Sequence, residues 1–298
     1  MKVVVSGSSG LVGSALLPSL QSDGHEVSRL VRDPSAGGPV IQWDPSLGNI
    51  DREHLKGFDA VVHLAGENIA SGRWTKARKQ RIRDSRVKGT SLLCNALAHF
   101  DERPKVLVCA SATGYYGNRG DEVLDEQSSA GDSFLADVCK EWEAAADPAR
   151  DKGIRVVHLR LGIVLSRDGG ALQKMLLPFR LGGGGVVGDG SQYWSWITLD
   201  DVIGAIQYAL ANESLNGPVN CVSPHPATNR EFTKTLGAVL NRPTILPLPG
   251  FAAKLALGEM ARELLLASTR VVPKRLQDSG FQFQHATLED ALRHVLGK

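Results

Sequence analysis

Apolar residues recur along the first half of the chain in short runs, and stretches with helical spacing follow most of them. Compact runs lie at 3–5, 59–66, 105–111 and 155–165, and a more polar run lies at 25–32. Runs of this kind, with little alternation, are typical of strands that are buried on both faces of a parallel sheet. Strands that alternate with helices indicate an α/β fold in which helices cover the sheet.

Glycines follow the first run at positions i, i+3 and i+6, and leucines at helical spacing come next. A strand, a glycine turn and a helix in this order are typical of a dinucleotide-binding site. Gly7 permits a tight turn, Gly10 lets the backbone approach a pyrophosphate, and Gly13 lets the helix lie close to the strand. The first turn of the helix would offer unpaired N–H groups to the phosphates. We therefore predict a Rossmann-type doubly wound parallel sheet whose cofactor loop consists of Gly7, Ser9, Gly10, Leu11, Val12 and Gly13.

The end of the run at 25–32 indicates which dinucleotide is bound. Folds of this kind that select NAD place an acid there to bind the ribose 2′-hydroxyl, whereas NADP-selective folds supply an arginine for the 2′-phosphate. Here the run ends with Val31 and Arg32, and the nearest acid, Asp33, comes one residue later. We therefore predict NADP(H) as the cofactor and Arg32 as the residue that selects it. The alternative is a solvated arginine at a strand end.

Two further runs contribute to the predicted cofactor crevice, because ligands of open α/β sheets bind at the carboxyl ends of the strands. The run at 59–66 ends in small residues, and Glu67 follows as either a site residue or the start of a solvated loop. We assign a second set of contacts to the run at 155–165. The predicted cofactor contacts from these two regions are Leu64, Ala65, Gly66, Glu67, Leu161 and Gly162.

The run at 105–111 ends in a hydroxyl, and two tyrosines follow in the loop. A serine that leaves a central strand at the cofactor edge can donate a hydrogen bond to a substrate carbonyl or alcohol. The alternative is a serine that only caps the exit of the chain. Because the tyrosines share its loop, we predict that Ser111 is catalytic and also contacts the cofactor. Tyr115 and Tyr116 are the candidate proton donors.

Composition and charge exclude several classes of protein. The 298 residues are 42% hydrophobic and 22% charged, as in an ordinary globular protein. Most of a basic stretch at 72–88 is interpreted as the solvated face of a helix, as such charge runs usually are. Nucleic-acid binding is discounted because no aromatic residues are interleaved with the stretch and the net charge of the chain is only +2. Four widely spaced cysteines predict free thiols in a reducing compartment. Neither a leader segment nor a membrane-length apolar run is found, so we expect a cytoplasmic protein without nucleic-acid, membrane or metal partners.

The alternation of strands and helices weakens beyond residue 165. The aromatic, glycine-rich segment 186–197 suits either a substrate-side loop or a secondary core. Thr198 is predicted to cap the helix that follows, with Asp200 and Asp201 in its first turn. Two or three helices are expected within 226–298. We expect an NADP-binding domain at 1–165, joined by 196–222, and a smaller, mainly helical substrate domain at 166–195 and 223–298.

Several segments, in order along the chain, resemble the extended short-chain dehydrogenase/reductase pattern: 7–13, 59–66, 108–113 and 196–202. Others resemble an atypical nucleotide-sugar-epimerase-like subgroup and its helical tail domain: 65–69, 177–182 and 265–276. The resemblance implies a sheet of about seven strands, bound NADP(H), and a small C-terminal domain that closes over the nicotinamide end. Related folds often pair through helices, so a homodimer is also an expectation.

The chain departs from this pattern at the residues that carry the usual chemistry. Extended members use Ser or Thr followed by Tyr-x-x-x-Lys on a helix, where i,i+4 spacing puts Tyr and Lys on one face. If Glu143 is aligned with the acid that usually follows the lysine by four, Leu135 takes the tyrosine position and Cys139 the lysine position. Lys140 is one residue away, about 100° around the helix. Arg86 replaces the asparagine usually found on the preceding helix, and we predict that it contacts cofactor phosphate or ribose.

These observations lead to three hypotheses. The first is an NADP(H)-dependent oxidoreductase or epimerase-like enzyme that acts on a small-molecule substrate and uses Ser111 with Tyr115 or Tyr116. Cys139 is a weaker candidate for the acid or base. The second is a sensor or partner-binding module that binds NADP(H) without turnover, and the third is a structural protein that has lost cofactor binding.

Overall fold

The computed structural model describes residues 1–33, 35 and 37–298, and strands and helices alternate along them as the apolar pattern predicts. Its strands are β1 (Lys2–Ser6), β2 (Glu26–Val31), β3 (Val40–Asp44), β4 (Asn49–Ile50), β5 (Ala60–His63), β6 (Val106–Ala112), β7 (Val123–Leu124), β8 (Arg155–Leu161), β9 (Ile163–Leu165), β10 (Tyr193–Trp194), β11 (Trp196–Thr198), β12 (Gly217–Cys221), β13 (Ala227–Thr228) and β14 (Arg270–Val271). Its α-helices are α1 (Leu11–Ser22), α2 (Lys76–Ala98), α3 (Phe134–Ala144), α4 (Asp147–Arg150), α5 (Gly170–Arg180), α6 (Leu199–Ala211), α7 (Asn229–Leu240), α8 (Gly250–Leu257), α9 (Glu259–Leu264), α10 (Lys274–Asp278) and α11 (Leu288–Leu296).

An eight-stranded sheet lies at the centre, in the order β12-β8-β6-β5-β1-β2-β3-β4. Seven of its strands are parallel, and β4 pairs with β3 in the antiparallel sense at one edge. The strand order reverses at β1, because β2 lies on one side of it and β5 on the other. Ligands bind at this switch point in doubly wound sheets. The predicted Rossmann-type fold is confirmed.

The two faces of the sheet are covered by different helices, as the alternation of side chains along a strand requires. Val3 and Val5 of β1 pack with buried residues of α1 and α6, whereas Val4 faces the buried side chains of α2. All three valines are fully buried, and each contributes about 1.5–3 kcal/mol to folding. Burial on both faces therefore explains the unbroken apolar runs of the sequence.

A third core lies beneath the C-terminal helices. Trp194 and Trp196 are both buried there, together with Phe232 of α7 and Leu292 of α11. Between the two interpretations of segment 186–197, the structure thus favours the secondary core for its tryptophans. The cap predicted at the start of α6 is confirmed, because Thr198 Oγ1 accepts a hydrogen bond from the Asp201 N–H at 3.1 Å.

The predicted strand at 155–165 is wrong in one respect, because it is two strands. β8 ends at Leu161, and β9 leaves the main sheet to pair with β11. The break falls at Gly162, where a Cβ atom would lie 2.5 Å from the carbonyl oxygen of Ser195. Close backbone approach therefore requires glycine at this position.

One other expectation was also too simple. The described part of the chain forms five helices after residue 226, α7 to α11, where two or three were expected. The acidic stretch at 120–126 contains β7 and the buried Glu126. None of the helices in the described ranges is long and apolar enough to cross a membrane.

Candidate functional site

The glycine loop between β1 and α1 lies at the switch point of the sheet. Gly7 has a φ of +69°, and a Cβ atom there would lie 2.6 Å from the carbonyl carbon of Leu64. A Cβ atom on Gly13 would clash with the Gly7 carbonyl oxygen and lie 2.8 Å from the Ser8 Cα. Gly10 precedes the first residue of α1, so the unpaired N–H groups of this helix are not capped by a side chain. The loop is thus packed tightly at Gly7 and Gly13, whereas Ser9 and Gly10 are exposed to solvent.

Arg32 lies directly after the last residue of β2 and is exposed. The loop that follows contains Pro34 and Ala36, which are outside the described residues. The neighbouring strand β3 ends at Asp44. Hydrogen bonds from Ser46 hold the pKa of Asp44 below its ordinary value, and the charge of Arg32 adds to this effect. The guanidinium therefore stands at the carboxyl edge of the sheet, within electrostatic reach of the end of β3.

The carboxyl end of β5 is fixed by a buried polar chain. His63 Nδ1 lies 2.6 Å from Ser6 Oγ, and His63 Nε2 lies 3.0 Å from Thr90 Oγ1. Burial lowers the pKa of His63 to about 4, so the ring is neutral at physiological pH. Leu64 then donates its N–H to the Ser6 carbonyl at 3.3 Å as the chain leaves the sheet. Leu64, Ala65 and Gly66 are consequently placed beside the glycine loop.

Arg86 of α2 reaches the same edge. Its guanidinium donates to the Glu67 carbonyl at 3.0 Å and lies beside Gly66, where a Cβ atom would be 3.4 Å from Arg86 Cζ. It also lies 5.0 Å from the ring of Trp142, a cation–π distance. Burial lowers its pKa from the ordinary arginine value. The structure thus brings Arg86 together with the predicted cofactor contacts that follow β5.

Glu67 does not reach the crevice as an unpaired carboxylate. It accepts a hydrogen bond from Arg78, which also donates to the Asn68 carbonyl. Arg78 is only 8% exposed, so one member of the basic stretch points inward while most of the others face solvent. Glu67 acts in this arrangement as the partner of a buried arginine.

Ser111 lies near the end of β6 and is 2% exposed. Its hydroxyl donates to Glu143 Oε1 at 2.7 Å. Glu143, on α3, also accepts from Arg160 Nε and Arg160 Nη2, at 2.8 Å each. Burial opposes ionisation of Glu143, but the hydrogen bonds and charge of Arg160 hold its pKa below the ordinary value. The hydroxyl of Ser111 is therefore engaged inside the protein.

The two tyrosines of the following turn, a 3-10 helix at Thr113–Tyr116, differ sharply. Tyr116 is fully buried, donates to Asn220 Oδ1 at 2.7 Å and accepts from Arg160 at 2.9 Å. Burial raises its pKa to about 12. Tyr115 is half-buried, and the Arg160 guanidinium lies 3.5 Å from its ring centroid. Only Tyr115 presents part of its surface outside the core.

The helix that carries the Tyr and Lys of the usual pattern is α3. Cys139 is buried, and its thiol contacts the Ala112 carbonyl at 3.8 Å. Burial raises the pKa of Cys139 to about 12, so it stays a thiol at neutral pH. Lys140 forms an exposed ion pair with Asp137 at 2.7 Å. Leu135 packs against Gly114, where a Cβ atom would lie 3.3 Å from the Leu135 Cβ.

A cavity of about 770 Å³ opens next to Leu135 and Gly114. Its far wall comes from α9, where Glu263 Oε2 accepts from the Leu135 N–H at 3.3 Å. Glu259 of α9 closes one side by pairing with Lys79 of α2 at 2.8 Å. A second cavity of about 550 Å³ adjoins it, and the residues that line both are Asn118, Lys254 and Leu266. The cavity therefore lies between the C-terminal helices α8 and α9 on one side and the 3-10 turn with the start of α3 on the other.

Sequence reasoning missed two groups of residues. Asn220 and the Glu143–Arg160 pair are brought together only by the fold, although a charged residue inside the apolar run of β8 is a signal that a buried partner exists. Glu263 and the other α9 residues of the cavity wall have no local signal, because their helix is short.

The two predicted cofactor contacts of the run at 155–165 lie where β8 ends. Leu161 is the last residue of β8. Gly162 follows it, close to the end of β12, because a Cβ atom there would be 2.9 Å from Val222 Cγ1.

Comparisons with known proteins agree with this architecture. Residues 3–221 match the model of the NAD dependent epimerase/dehydratase family, and residues 248–295 match a domain of unknown function, DUF1731. An epimerase family protein of Mycobacterium tuberculosis is 48% identical over 293 residues, covering 98% of this chain and 97% of its own length.

Solved structures are similar over the whole chain. The crystal structure of human epimerase family protein SDR39U1 with NADPH has a TM-score of 0.92 and 37% identity, and the match covers 100% of both chains. A nucleoside-diphosphate sugar epimerase from Corynebacterium glutamicum has a TM-score of 0.82 and 38% identity, covering 100% of this chain and 58% of that one. The resemblance noted in the motifs is confirmed. The chain belongs to the NAD dependent epimerase/dehydratase family.

Proposed function

We propose that this protein binds NADP(H) at the carboxyl ends of β1, β2 and β5 and acts as an oxidoreductase or epimerase-like enzyme on a small-molecule substrate. The observation that carries the proposal is the glycine loop, where Gly7 and Gly13 leave no room for a side chain and α1 begins uncapped. This arrangement suits a pyrophosphate at a helix N-terminus. The human relative crystallised with NADPH supports the same cofactor.

The charges along this edge favour the phosphorylated dinucleotide. Arg32 is an exposed cation at the end of β2, the place where a 2′-phosphate is bound in related folds. Arg86 stands beside Gly66 and would contact phosphate or ribose through the guanidinium nitrogens that do not bind the Glu67 carbonyl. In this proposal residues 1–165 with 196–222 bind the cofactor, and 166–195 with 223–298 form the substrate part.

The bound nicotinamide would supply the hydride, and the protein must supply the proton and hold the substrate. We assign the proton to Tyr115, because Tyr116 is buried with both hydrogen bonds of its hydroxyl satisfied. Ser111, whose hydroxyl donates to Glu143, would position Glu143 and the strand end rather than the substrate. The cavity beside Gly114 and Leu135 is the proposed substrate space.

The test is NADPH binding followed by turnover. Binding would be measured by NADPH fluorescence, and turnover would then be followed with a panel of carbonyl compounds and nucleotide sugars. Reductase activity is read as NADPH oxidation, and epimerase activity, which consumes no net cofactor, is read as interconversion of the sugars. We expect Tyr115→Phe to lower the turnover about 10²-fold or more while NADPH binding is kept. Tyr116→Phe should keep turnover within a few fold after correction for folded protein. Equal activity of wild type and Tyr115→Phe would remove the assignment.

A second function, NADP(H) binding without turnover, is favoured by the state of α3. Leu135 has no ionisable group, and Cys139 is a buried thiol with a raised pKa, so neither can replace a Tyr–Lys pair. In this case the wild type would bind NADPH but would neither reduce nor epimerise any of the compounds, and NADPH would change capture of a partner protein. A homodimer and a cytoplasmic location stay predictions from the sequence.

A further inference from the structure

Two histidines and an aspartate meet where the C-terminal segment packs on the start of α6. Asp200 Oδ2 lies 2.9 Å from His294 Nε2, and the rings of His285 and His294 stack with centroids 4.0 Å apart. One ligand atom from each of the three residues lies within 4.8 Å of the others. None of the three belongs to the predicted cofactor or catalytic set, so this cluster is independent of the proposed function.

His285 is oriented as metal-binding histidines usually are. Its Nδ1 lies 2.6 Å from Asp290 Oδ2, which leaves Nε2 as the free ring nitrogen. A carboxylate on the second nitrogen fixes the tautomer and orientation of a ligand histidine and raises its basicity. The His285 side chain is only 15% exposed, so packing also restricts its rotation.

The backbone next to His285 is held to α6 by a buried carboxylate. Asp201 accepts hydrogen bonds from the N–H of Gln284 at 2.7 Å and of His285 at 3.2 Å. It also accepts from Thr198 Oγ1 at 2.8 Å, and it is 1% exposed. This anchoring fixes the position of His285 relative to the neighbouring Asp200 without any ligand present.

We propose that Asp200, His285 and His294 bind a divalent transition-metal cation of the zinc type. Imidazole nitrogens and a carboxylate suit zinc, whereas calcium and magnesium prefer oxygen ligands alone. Ligand bonds of about 2.0–2.1 Å in a tetrahedral site put ligand atoms about 3.3 Å apart. Asp200 Oδ2 and His294 Nε2 are close to that separation at 2.9 Å, and all three ligand atoms lie within 4.8 Å of one another. Binding turns the stacked rings so that a nitrogen of each points to the cation. Binding replaces the hydrogen bond between these two residues, and water takes the fourth position.

A bound cation would join α6, which packs against the main sheet, to α11, which closes the C-terminal region. Asp200 and His294 are distant in sequence, so this cross-link would restrict a long loop of the unfolded chain. The cation would therefore stabilise the packing of the C-terminal segment on the rest of the protein. The role is structural, and it requires no contact with a substrate.

The experiment is a calorimetric titration of the tag-free, EDTA-treated full chain with zinc sulfate, with magnesium as the control cation. We expect about one zinc per chain and a higher Tm in zinc than in EDTA. Asp200→Asn and His294→Gln should each weaken zinc binding about tenfold or more, and Asp290→Asn should weaken it about 10- to 100-fold through His285.

His54→Gln provides the matched control. His54 Nδ1 pairs with Asp51 Oδ2 at 2.8 Å on the exposed surface, so it is a histidine–aspartate pair outside the proposed site. This variant should bind zinc like the wild type. Absence of stoichiometric zinc binding by the wild type would overturn the proposal, and so would wild-type affinity in both Asp200→Asn and His294→Gln. Asp200 is half-exposed at a helix start, so its asparagine variant decides the question if His294→Gln does not fold.

Discussion

The Arg160 guanidinium donates two hydrogen bonds to Glu143, at 2.8 Å each, and this ion pair joins β8 to α3 in the interior of the protein. Arg160 is 3% exposed, and it also donates to Tyr116 at 2.9 Å. Ser111 reaches the same carboxylate. One buried pair therefore fixes the strand end, the turn and the helix that surround the proposed substrate space.

Removal of one partner should destabilise the protein strongly. Glu143→Ala leaves Arg160 buried and unpaired, and we expect the free energy of unfolding to fall by about 3–5 kcal/mol. The matched control is Glu141→Ala on the same helix, which removes an exposed ion pair with Arg83 and should cost less than about 1 kcal/mol. Urea unfolding measures both values. Equal losses in the two variants would contradict the prediction.

The same pair predicts a pH dependence. The pKa of Glu143 is below its ordinary value of 4.5 in the folded protein, so the unfolded chain takes up the proton first on acidification. Its contribution to stability is complete above about pH 5 and is lost as the pH falls through the lowered native pKa. Glu143→Gln lacks this group, so its free energy of unfolding should decline less steeply as the pH falls below about 5. Identical slopes in the two proteins would count against this account.

The glycine loop can be tested with a single methyl group. Gly13→Ala places a Cβ atom against the Gly7 carbonyl, so α1 must move away from β1, and we expect at least about tenfold weaker NADPH binding. Gly204 of α6 is the control, because a Cβ there meets only Phe281 at 3.6 Å. Gly204→Ala should keep NADPH affinity and equal or exceed the wild-type Tm. Fluorescence titration and thermal melts provide the readouts, and unchanged affinity in Gly13→Ala would refute the packing argument.

Arg32 should determine cofactor choice. In the proposed function, Arg32→Ala would remove a charged hydrogen bond to the 2′-phosphate, worth about 1.5–3 kcal/mol, so NADPH binding should weaken roughly 10- to 150-fold. NADH affinity should change little, because NADH lacks this phosphate. Arg52, an exposed arginine just beyond β4, is the control whose alanine variant should bind both cofactors like the wild type. A parallel loss of NADPH and NADH affinity would show that Arg32 is not selective.

Local patterns made the geometry of the glycine loop predictable. The glycine spacing acts through neighbouring residues, since Gly7 and Gly13 meet each other in the folded loop. The same holds for the cap of α6, where Thr198 and Asp201 are three residues apart. Features of this kind need no knowledge of the rest of the chain.

The partners of buried charges were not predictable from the sequence. In the sequence, Glu143 was useful only for aligning α3 with the usual Tyr-x-x-x-Lys pattern. Its pairing with Arg160 depends on how α3 packs on β8, which the sequence does not show. The C-terminal helices were undercounted for a related reason, because α9 and α10 are too short to show a clear period. The break at Gly162 arises from the approach of Ser195, a residue that only the fold brings near.

The order of strands in the main sheet has a consequence for synthesis of the chain on the ribosome. β8 and β12 are neighbours, but residues 162–216 separate them. At about 5–20 residues per second, translation of this stretch takes roughly 3–11 s, and during that time β8 is an open edge of the nascent sheet. Inward-pointing charges at an edge discourage aggregation, and β8 carries the charged Arg160, whose partner Glu143 lies on the earlier helix α3. We therefore expect this arginine to disfavour pairing of the unfinished sheet with other chains.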